Sequence, residues 1–384
     1  MTGLKMIVVA GARPNFMKIG PFMKRIEAHN ASRPPAAPRV EALLVHTGQH
    51  YDGNMSDVFF RELGIRRPDF NLDVGSGSHA AQTAGIMIRF EAVCLEEKPD
   101  WVVVVGDVNS TMACTLVCAK LGVRVAHIEA GLRSFDRTMP EEINRLVTDA
   151  LADLLLTPSE DADAHLLAEG VAAERIKLVG NIMIDSLVDN LPQARTSGTL
   201  EALKIGRGRF VYVTLHPPAN VDDRSGLAAL MSGLEKISGR LPVVFPVHPR
   251  TRKMLAEFEL MPRSDDRLRL LEPLGYHASL SLTENARVVL TDSGGLQEEA
   301  TFFRTPCLTL RPNTERPITI TMGSNRLTKL PRLLGDIEAV LNGPERLGRV
   351  PPLWDGHTAE RTLDELIKAS ALSAPLSNNR VDGI

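Results

Sequence analysis

Short apolar runs rich in β-branched residues recur along the whole chain, and stretches of helical character separate them. Such runs are typical of strands buried on both faces, and strands that alternate with helices form parallel sheets from βαβ units. In the first half the runs are Lys5 to Ala10, Val40 to His46, Trp101 to Gly106, Val123 to Glu129, Leu154 to Pro158 and Ile176 to Gly180. In the second half they are Phe210 to His216, Leu241 to His248, Leu268 to Leu271, Arg287 to Asp292 and Cys307 to Arg311.

These two series predict an α/β protein of two domains, 1–180 and 181–384, each a Rossmann-like doubly wound parallel sheet. The length of 384 residues agrees, because a single core rarely grows beyond about 250–300 residues. A last amphipathic helix is predicted from about His357 to Ala371. Ligands of such sheets bind outside the carboxyl ends of the strands, so the functional residues are expected there.

The composition limits the classes of partner. Hydrophobic residues make up 43% of the chain and charged residues 24%, which is typical of a globular protein. The formal net charge of -3 argues against a nucleic-acid partner, because nucleic-acid binding normally shows as a strong basic excess. No run approaches the roughly 20 apolar residues that span a bilayer, and the N-terminus enters a strand directly. We therefore expect a cytoplasmic protein without a membrane partner.

The cysteines and the glycine-rich segments argue against metal and dinucleotide cofactors. The four cysteines include no CxxC pair and no cluster with histidine, so they are predicted to be reduced core residues and no metal site is expected. Gly75 to Ala80 fits the dinucleotide pattern GxGxxG/A, but it does not follow the first strand of a domain. We interpret it as a loop. The cysteines are Cys94, Cys114, Cys118 and Cys307.

Cations and carboxylates follow the strands of the first half. Arg13 and Lys18 lie near the start of the helix after the first strand, where an anion is favoured, although they could also be solvated cations at a turn. Asp107 follows the apolar run that begins at Trp101, and instead of a functional role it could simply cap the next helix. Glu129 ends an apolar strand, where a partly buried carboxylate needs a reason. Glu141 opens a helix after a proline and fits an ordinary helix start.

In the second half, the run from Arg287 to Asp292 is followed by Ser293, Gly294 and Gly295 and then by a helix. Unhindered backbone N–H groups at such a turn can approach phosphate oxygens, so the turn predicts a diphosphate site. The alternative is a glycine turn with acids that complement the helix dipole. One glutamate of the first helical turn is expected to accept hydrogen bonds from ribose hydroxyls, because a carboxylate facing a phosphate would repel it.

Two histidines, His216 and His248, end strands of the second half, and each is followed by proline. A single histidine at a strand end is more often structural than catalytic. Two histidines in equivalent positions at the predicted ligand edge are as compatible with a functional role in the site as with a structural role.

Seven motifs, taken together and in order, resemble the signature series of the non-hydrolysing UDP-N-acetylglucosamine 2-epimerases. The motifs are GARPNFMK, HTGQHYD, GDVNST, HIEAGLRS, MPEEINR, TDSGGLQEEA and NTERP. The resemblance covers nearly the whole chain. It implies a GT-B-type fold, in which two Rossmann-like domains face a central cleft and close over the nucleotide sugar, with the C-terminal helix crossing back to the first domain. It also implies a homodimer.

The resemblance assigns roles to the candidate residues. It implies that Asp107, Glu129 and Glu141 are the acid/base carboxylates, and that Lys18 and His216 are also among the catalytic residues. It also implies which residues bind the nucleotide. Arg13 is expected near the uracil and Glu299 at the ribose. The residues expected near the diphosphate are His216, Ser293, Gly294 and Gly295, and His248 and Arg316 are expected in the same nucleotide site. The implied reaction removes UDP to give an unsaturated 2-acetamidoglucal and adds UDP back after the proton returns on the other face. It requires neither a metal nor a nicotinamide.

One motif departs from the family pattern. Many members carry His-Arg-Arg-Glu-Asn where this chain has His216, Pro217, Pro218, Ala219 and Asn220. In bacterial relatives this region helps to hold a second, activating molecule of UDP-N-acetylglucosamine. Because proline supplies neither a charge nor a backbone N–H, activation of that kind is not expected here.

Four other functions share part of these features. The chain could epimerise a related substrate such as a UDP-2,3-diacetamido-glucuronate, or it could be the hydrolysing epimerase that releases UDP and free N-acetylmannosamine. A GT-B glycosyltransferase would share the fold but would not need three acids around the sugar. A catalytically silent nucleotide-sugar sensor would have no reason to keep all three carboxylates.

Overall fold

The computed structural model describes residues 3–35, 37–48, 66–215, 224–262 and 267–372. The chain divides into two compact units, of which the first combines Met1–Ser186 with Gly356–Ile384 and the second is Leu187–Asp355. Each unit is built around its own parallel sheet, as the alternation of apolar runs and helices predicts. None of the helices in these ranges is long and apolar enough to cross a membrane.

The first sheet has the strand order β3-β2-β1-β4-β5-β6-β7 within the described residues, and every pairing is parallel. Its strands are β1 (Leu4–Ala10), β2 (Val40–His46), β3 (Phe70–Asn71), β4 (Trp101–Val105), β5 (Arg124–Ile128), β6 (Leu154–Thr157) and β7 (Ile176–Leu178). The associated helices are α1 (Arg13–Ser32), α2 (His79–Glu97), α3 (Asn109–Leu121), α4 (Pro140–Leu151), α5 (Glu160–Ala168) and α6 (Ile182–Arg195), with a short 3-10 helix at Ala173–Arg175. The strand order reverses between β1 and β4, so the ligand edge is expected at their carboxyl ends.

The second sheet has the order β10-β9-β8-β11-β12-β13 in the described part of the chain and is also parallel. Its strands are β8 (Val211–Thr214), β9 (Val243–Pro246), β10 (Leu268–Leu271), β11 (Val288–Thr291), β12 (Cys307–Thr309) and β13 (Asn325–Leu327). The helices are α7 (Thr199–Ala202), α8 (Arg224–Ser238), α9 (Pro249–Glu257), α10 (Tyr276–Asn285), α11 (Gly294–Phe303), α12 (Ile318–Thr321) and α13 (Leu333–Leu341), with a 3-10 helix at Leu330–Arg332. Here the order reverses between β8 and β11.

The last helix, α14 (Thr358–Leu372), belongs to the first unit. The carboxylate of Asp185 on α6 accepts hydrogen bonds from the backbone N–H groups of Thr358 and Ala359 at 3.0 and 2.7 Å. It therefore satisfies two donors that the first turn of a helix leaves unpaired. Further along α14, the hydroxyl of Ser370 accepts a 2.8 Å hydrogen bond from the indole of Trp101 at the start of β4.

The strands of both sheets are buried because helices cover both faces. The four cysteines are free and buried, as predicted. Three of them pack in the core of the first unit, and Cys307 packs in the second. Burial raises the pKa of the Cys307 thiol to about 12, so at neutral pH the thiol is protonated and unreactive and contributes only to packing.

Candidate functional site

A buried ion pair lies at the carboxyl edge of the first sheet. The ammonium of Lys18 on α1 donates a hydrogen bond to Oε2 of Glu129, directly after β5, at 2.5 Å. The two side chains are 9% and 3% exposed. The other oxygen, Oε1, is buried and has no hydrogen-bond partner within the described residues. Because buried polar atoms are nearly always satisfied, this empty acceptor marks a position for a ligand.

The backbone conformation at Gly106 and Glu129 leaves room for this pair at the ends of β4 and β5. Gly106 follows β4 with a φ of 69°, and a Cβ at that position would lie 3.0 Å from Nζ of Lys18 and 3.6 Å from Oε2 of Glu129. Glu129 also has a φ of 69°, which is a strained conformation for a residue with a side chain. Asn15 on α1 donates to the carbonyl of Val105 at 3.0 Å and so fixes α1 against the end of β4.

Asp107 is held by α4. Nε and Nη2 of Arg145 donate to Oδ2 of Asp107 at 3.0 and 2.5 Å, and the amide of Asn144 donates to the Asp107 carbonyl at 2.8 Å. Nη1 of Arg145 pairs with Glu142 at 2.7 Å. Asp107 is therefore oriented through one of its carboxylate oxygens by a guanidinium that is itself fixed.

Glu142 anchors the loop after β5. Its carboxylate accepts hydrogen bonds from the backbone N–H groups of Ser134 and Phe135 at 3.0 and 2.9 Å, and from the Ser134 hydroxyl at 3.0 Å. Burial alone would raise the pKa of Glu142, but these donors and Arg145 hold it below its usual value. Glu142 and Arg145 were not predicted as site residues, although both lie in the motif MPEEINR.

Three other predicted residues have no contact with this cluster that the described part of the chain shows. Glu141 is exposed on the first turn of α4, and no hydrogen bond of its side chain is recorded within the described part of the chain. Arg13 begins α1, but its side chain lies outside the described structure. His216 lies outside the described residues altogether. The roles of these three residues stay predictions.

A second buried network, centred on His127 and Asp149, lies close to Glu129 and was not predicted from the sequence. Nδ1 of His127 lies 2.6 Å from Oδ1 of Asp149, and Nε2 lies 2.8 Å from the carbonyl oxygen of Gly106. Oδ2 of Asp149 accepts hydrogen bonds from Nη1 of Arg133 at 2.7 Å and from the backbone N–H of Gly131 at 3.0 Å. The network thus connects α4 with the ends of β4 and β5.

The second unit contains a cavity of about 550 Å³ at the carboxyl edge of its sheet. Residues that follow or end β8, β9 and β11 line it, together with residues of α10 and α11. They include Tyr212, Thr214, His248, Ser279, Asp292 and Ser293. The cavity is therefore at the strand-order reversal between β8 and β11, which is where ligands bind in open parallel sheets.

Helix α11 begins beside this cavity with the predicted glycine turn. The backbone N–H of Ser293 donates to the Thr291 hydroxyl at 3.0 Å. A Cβ at Gly294 would lie 2.5 Å from Nη1 of Arg316 and 2.9 Å from Oε1 of Glu315, whereas the nearest atom to a Cβ at Gly295 is 3.9 Å away. The Glu315–Arg316 pair therefore packs into the space that glycine leaves at position 294, a contact that the sequence pattern does not reveal.

Arg316 is bound to two carboxylates beside this turn. Its Nε donates to Glu298 at 2.7 Å, and its Nη1 donates to Glu315. His248 is the N-cap of α9, where its Nδ1 accepts a 3.3 Å hydrogen bond from the backbone N–H of Arg250. This contact gives His248 a structural role in addition to its place on the cavity wall.

Glu299 is buried on the first turns of α11, at 3% exposure. Burial raises its pKa to about 8, the neighbouring Tyr276 hydroxyl opposes this rise and Glu298 adds to it. Oε2 of Glu299 makes no hydrogen bond with any described residue. At neutral pH the carboxyl group is therefore mostly protonated, so that it can donate as well as accept a hydrogen bond.

Comparison with known proteins gives a consistent result. Residues 35–367 match the sequence profile of the family described as UDP-N-acetylglucosamine 2-epimerase. The chain is 40% identical to a UDP-N-acetylglucosamine 2-epimerase of Methanocaldococcus jannaschii, over 93% of this chain and 97% of that protein. It is also 40% identical to the UDP-2,3-diacetamido-2,3-dideoxy-D-glucuronate 2-epimerase of Pseudomonas aeruginosa, over 84% of this chain and 88% of that protein.

A solved structure extends this similarity to the fold. The crystal structure of the M. jannaschii UDP-GlcNAc 2-epimerase in complex with UDP-GlcNAc and UDP superimposes with a TM-score of 0.82, at 39% identity, over 95% of this chain and 100% of that one. The fold is accordingly of the GT-B type. The family profile and the identity to a curated member over most of the chain agree with the two parallel-sheet units and the motif series. The chain therefore belongs to the UDP-N-acetylglucosamine 2-epimerase family.

Proposed function

We propose that the chain is a non-hydrolysing epimerase that interconverts UDP-N-acetylglucosamine and UDP-N-acetylmannosamine by elimination and re-addition of UDP. The observation that carries this proposal is the Lys18–Glu129 pair, in which one oxygen of a buried carboxylate has no hydrogen-bond partner among the described residues. A positioned carboxylate of this kind can exchange a proton with the second carbon of the sugar.

The elimination explains why a carboxylate and a phosphate site are both needed. The proton on the second carbon becomes acidic only when the anomeric bond to UDP lengthens and positive charge develops beside it. Glu129 then accepts the proton, while the departing diphosphate must be stabilised. We assign proton transfer to the first unit, with Asp107 and Glu141 as the further acid/base groups, and nucleotide binding to the second.

The N-terminus of α11 supports the nucleotide assignment. The backbone N–H groups of Gly294 and Gly295 belong to the first turn of α11, where the helix dipole favours an anion, whereas the N–H of Ser293 already donates to the Thr291 hydroxyl. Arg316 lies against this turn, although Glu298 and Glu315 offset its charge. We propose that the diphosphate binds here, with the ribose at Glu299.

The remaining nucleotide assignments rest on the resemblance alone. We propose that Arg13 lies near the uracil, that His216 lies near the diphosphate, and that His248 contributes to the same site. The reaction would proceed in the cytoplasm, in a homodimer, and would supply a precursor of bacterial surface polysaccharide. Light scattering of the purified protein tests the dimer.

A second candidate substrate is favoured by one observation. The Pseudomonas aeruginosa relative that is 40% identical is named for UDP-2,3-diacetamido-2,3-dideoxy-D-glucuronate. That sugar carries a carboxylate, so an enzyme specialised for it needs a cation for this group. Turnover measured with both UDP-sugars in parallel discriminates between the two substrates.

The experiment that tests the proposed function is incubation of the purified protein with UDP-N-acetylglucosamine in heavy water, without added NAD and with a chelator present. We expect UDP-N-acetylmannosamine to form and deuterium to enter the second carbon. Free N-acetylmannosamine would indicate the hydrolysing reaction instead. Turnover without deuterium incorporation would exclude proton abstraction at that carbon, and binding without turnover would indicate a nucleotide-sugar sensor.

A further inference from the structure

We propose that His127 is held by Asp149 as a positively charged imidazolium, and that it acts as a positioning residue for Asp107 and Glu129. This role rests on the proposed function, because it concerns two of the three carboxylates assigned to proton transfer. The charge state itself does not depend on that function. It follows from the hydrogen bonds of the two ring nitrogens.

Both ring nitrogens of His127 face hydrogen-bond acceptors. Nε2 lies 2.8 Å from the carbonyl oxygen of Gly106, which can only accept. Nδ1 lies 2.6 Å from Oδ1 of Asp149. A neutral imidazole carries one N–H group and could satisfy only one of these contacts as a donor. The pair must therefore hold a further proton, either on His127 or on Asp149.

The surroundings of Asp149 place that proton on the histidine. Its Oδ2 already accepts hydrogen bonds from Arg133 and from the backbone N–H of Gly131. A carboxylate with three donors and a cationic neighbour remains ionised, so both ring nitrogens of His127 carry hydrogen.

The charges around this imidazolium are balanced. Arg133 pairs with Asp149 at 2.7 Å and with Glu169 at 2.7 Å, and Lys18 pairs with Glu129 at 2.5 Å. His127, Arg133 and Lys18 thus supply three positive charges against the three carboxylates Asp149, Glu169 and Glu129. A buried charged group is tolerated when it is paired and hydrogen-bonded in this way.

The position of His127 explains what the charged pair does. Its Nε2–H holds the carbonyl of Gly106, which directly precedes Asp107, and Glu129 follows His127 by two residues, directly after β5. On α4, Asp149 lies one turn after Arg145, which binds the Asp107 carboxylate. The ends of β4 and β5 are therefore fixed to α4 by two neighbouring ionic contacts, and Asp107 and Glu129 lie at those ends.

The charge state is tested directly by NMR of the full-length protein labelled with 15N-histidine. We expect His127 to show two ring N–H groups and imidazolium nitrogen shifts at neutral pH, because both ring nitrogens face acceptors. A spectrum of a neutral tautomer at this pH would overturn the proposal. The measurement requires no turnover, so it stands even if the proposed function fails.

The positioning role is tested with Asp149→Asn and His127→Gln. We expect kcat to fall about a hundredfold with KM and UDP affinity nearly unchanged, because small displacements of acid/base groups slow chemistry without removing the nucleotide site. The loss in Asp149→Asn should deepen as the pH rises, because the imidazolium loses its counter-charge and releases its proton more readily. A loss of stability alone would not give this pH dependence.

His165→Gln serves as the matched control. His165 is in the same unit and its Nδ1 contacts the carbonyl of Gly131 at 2.9 Å, but it has no contact with Gly106 or Asp149. Its kcat should remain within about twofold of the parent, as for most substitutions away from a site. If a folded Asp149→Asn protein retains full kcat with an unaltered pH profile, His127 and Asp149 have no positioning role.

Discussion

Lys18 and Glu129 form a salt bridge at 2.5 Å in which both side chains are less than a tenth exposed, and the bridge uses only one of the two carboxylate oxygens. The pair joins α1 to the end of β5 across a glycine that leaves room for both side chains. A charge pair of this kind contributes little net stability compared with apolar packing, because desolvation opposes the attraction. Its position at the ligand edge supports the chemical role that we propose for it.

Replacing the proposed base tests that role. Glu129→Gln should lower turnover roughly a hundredfold or more, the usual scale for a general acid/base group, and should abolish deuterium incorporation at the second carbon. Both are measured by NMR of the sugar in heavy water. Glu91→Gln, which alters an exposed glutamate on α2, is the control and should behave like the parent protein. Equal activity of the two variants would remove Glu129 from the mechanism.

Replacing Lys18, the cationic partner of Glu129, should lower the free energy of unfolding. Lys18→Met leaves Glu129 buried without its counter-charge, so the free energy of unfolding should fall by about 3–5 kcal/mol. The double variant Lys18→Met/Glu129→Leu removes both charges and should regain most of this loss. Urea denaturation followed by Trp101 fluorescence in a Trp354→Phe background reports on the first unit, where Trp101 is located. Equal stability of the single and double variants would contradict the coupling.

The glycine turn of α11 makes a prediction about UDP affinity. Gly294→Ala would place a Cβ 2.5 Å from Nη1 of Arg316, so Arg316 and the turn must shift. We expect UDP to bind about tenfold more weakly or worse, the scale of one hydrogen bond to a charged group. Gly335→Ala on α13 is the control, because no atom lies within 4 Å of a Cβ there. Calorimetric titration with UDP distinguishes the two, and unchanged affinity in Gly294→Ala would place the diphosphate elsewhere.

The raised pKa of Glu299 predicts a pH-dependent stability. Its value of about 8 in the folded protein lies above the ordinary value of 4.5, so folding favours the protonated form. The stabilisation is complete below pH 4.5 and is lost as the pH rises through about 8. Glu299→Gln cannot ionise and should lack this loss. The difference in unfolding free energy between parent and variant should therefore shift in favour of the variant from pH 5 to about pH 9. A constant difference would contradict the raised pKa.

The sequence is informative about those parts of the molecule that depend on local patterns. Each apolar run contains a strand, and the run before Glu129 correctly indicates a buried carboxylate. The strands β3 and β13 were not anticipated, because Phe70–Asn71 is only two residues long and Asn325–Leu327 has no apolar run.

Contacts between distant segments could not be read from one sequence. Asp149 is 22 residues from His127 along the chain, and Arg145 is 38 residues from Asp107. The only local signal was that Arg145 and Asp149 lie four apart on a helix, so that they share one face. That face is buried, and charged residues on a buried helix face require partners.

The last prediction rests on the sequence, because Pro217 and Pro218 lie outside the described residues. An activating second nucleotide sugar carries two phosphates, and binding it beside the substrate requires local positive charge to offset the repulsion. Where many relatives have arginines, this chain has two prolines. The reverse reaction should therefore start from UDP-N-acetylmannosamine alone, and the forward rate should rise hyperbolically with a Hill coefficient of about one. Progress curves recorded with and without a trace of UDP-N-acetylglucosamine check this. A lag that the trace abolishes would show that the activating site is present despite the two prolines.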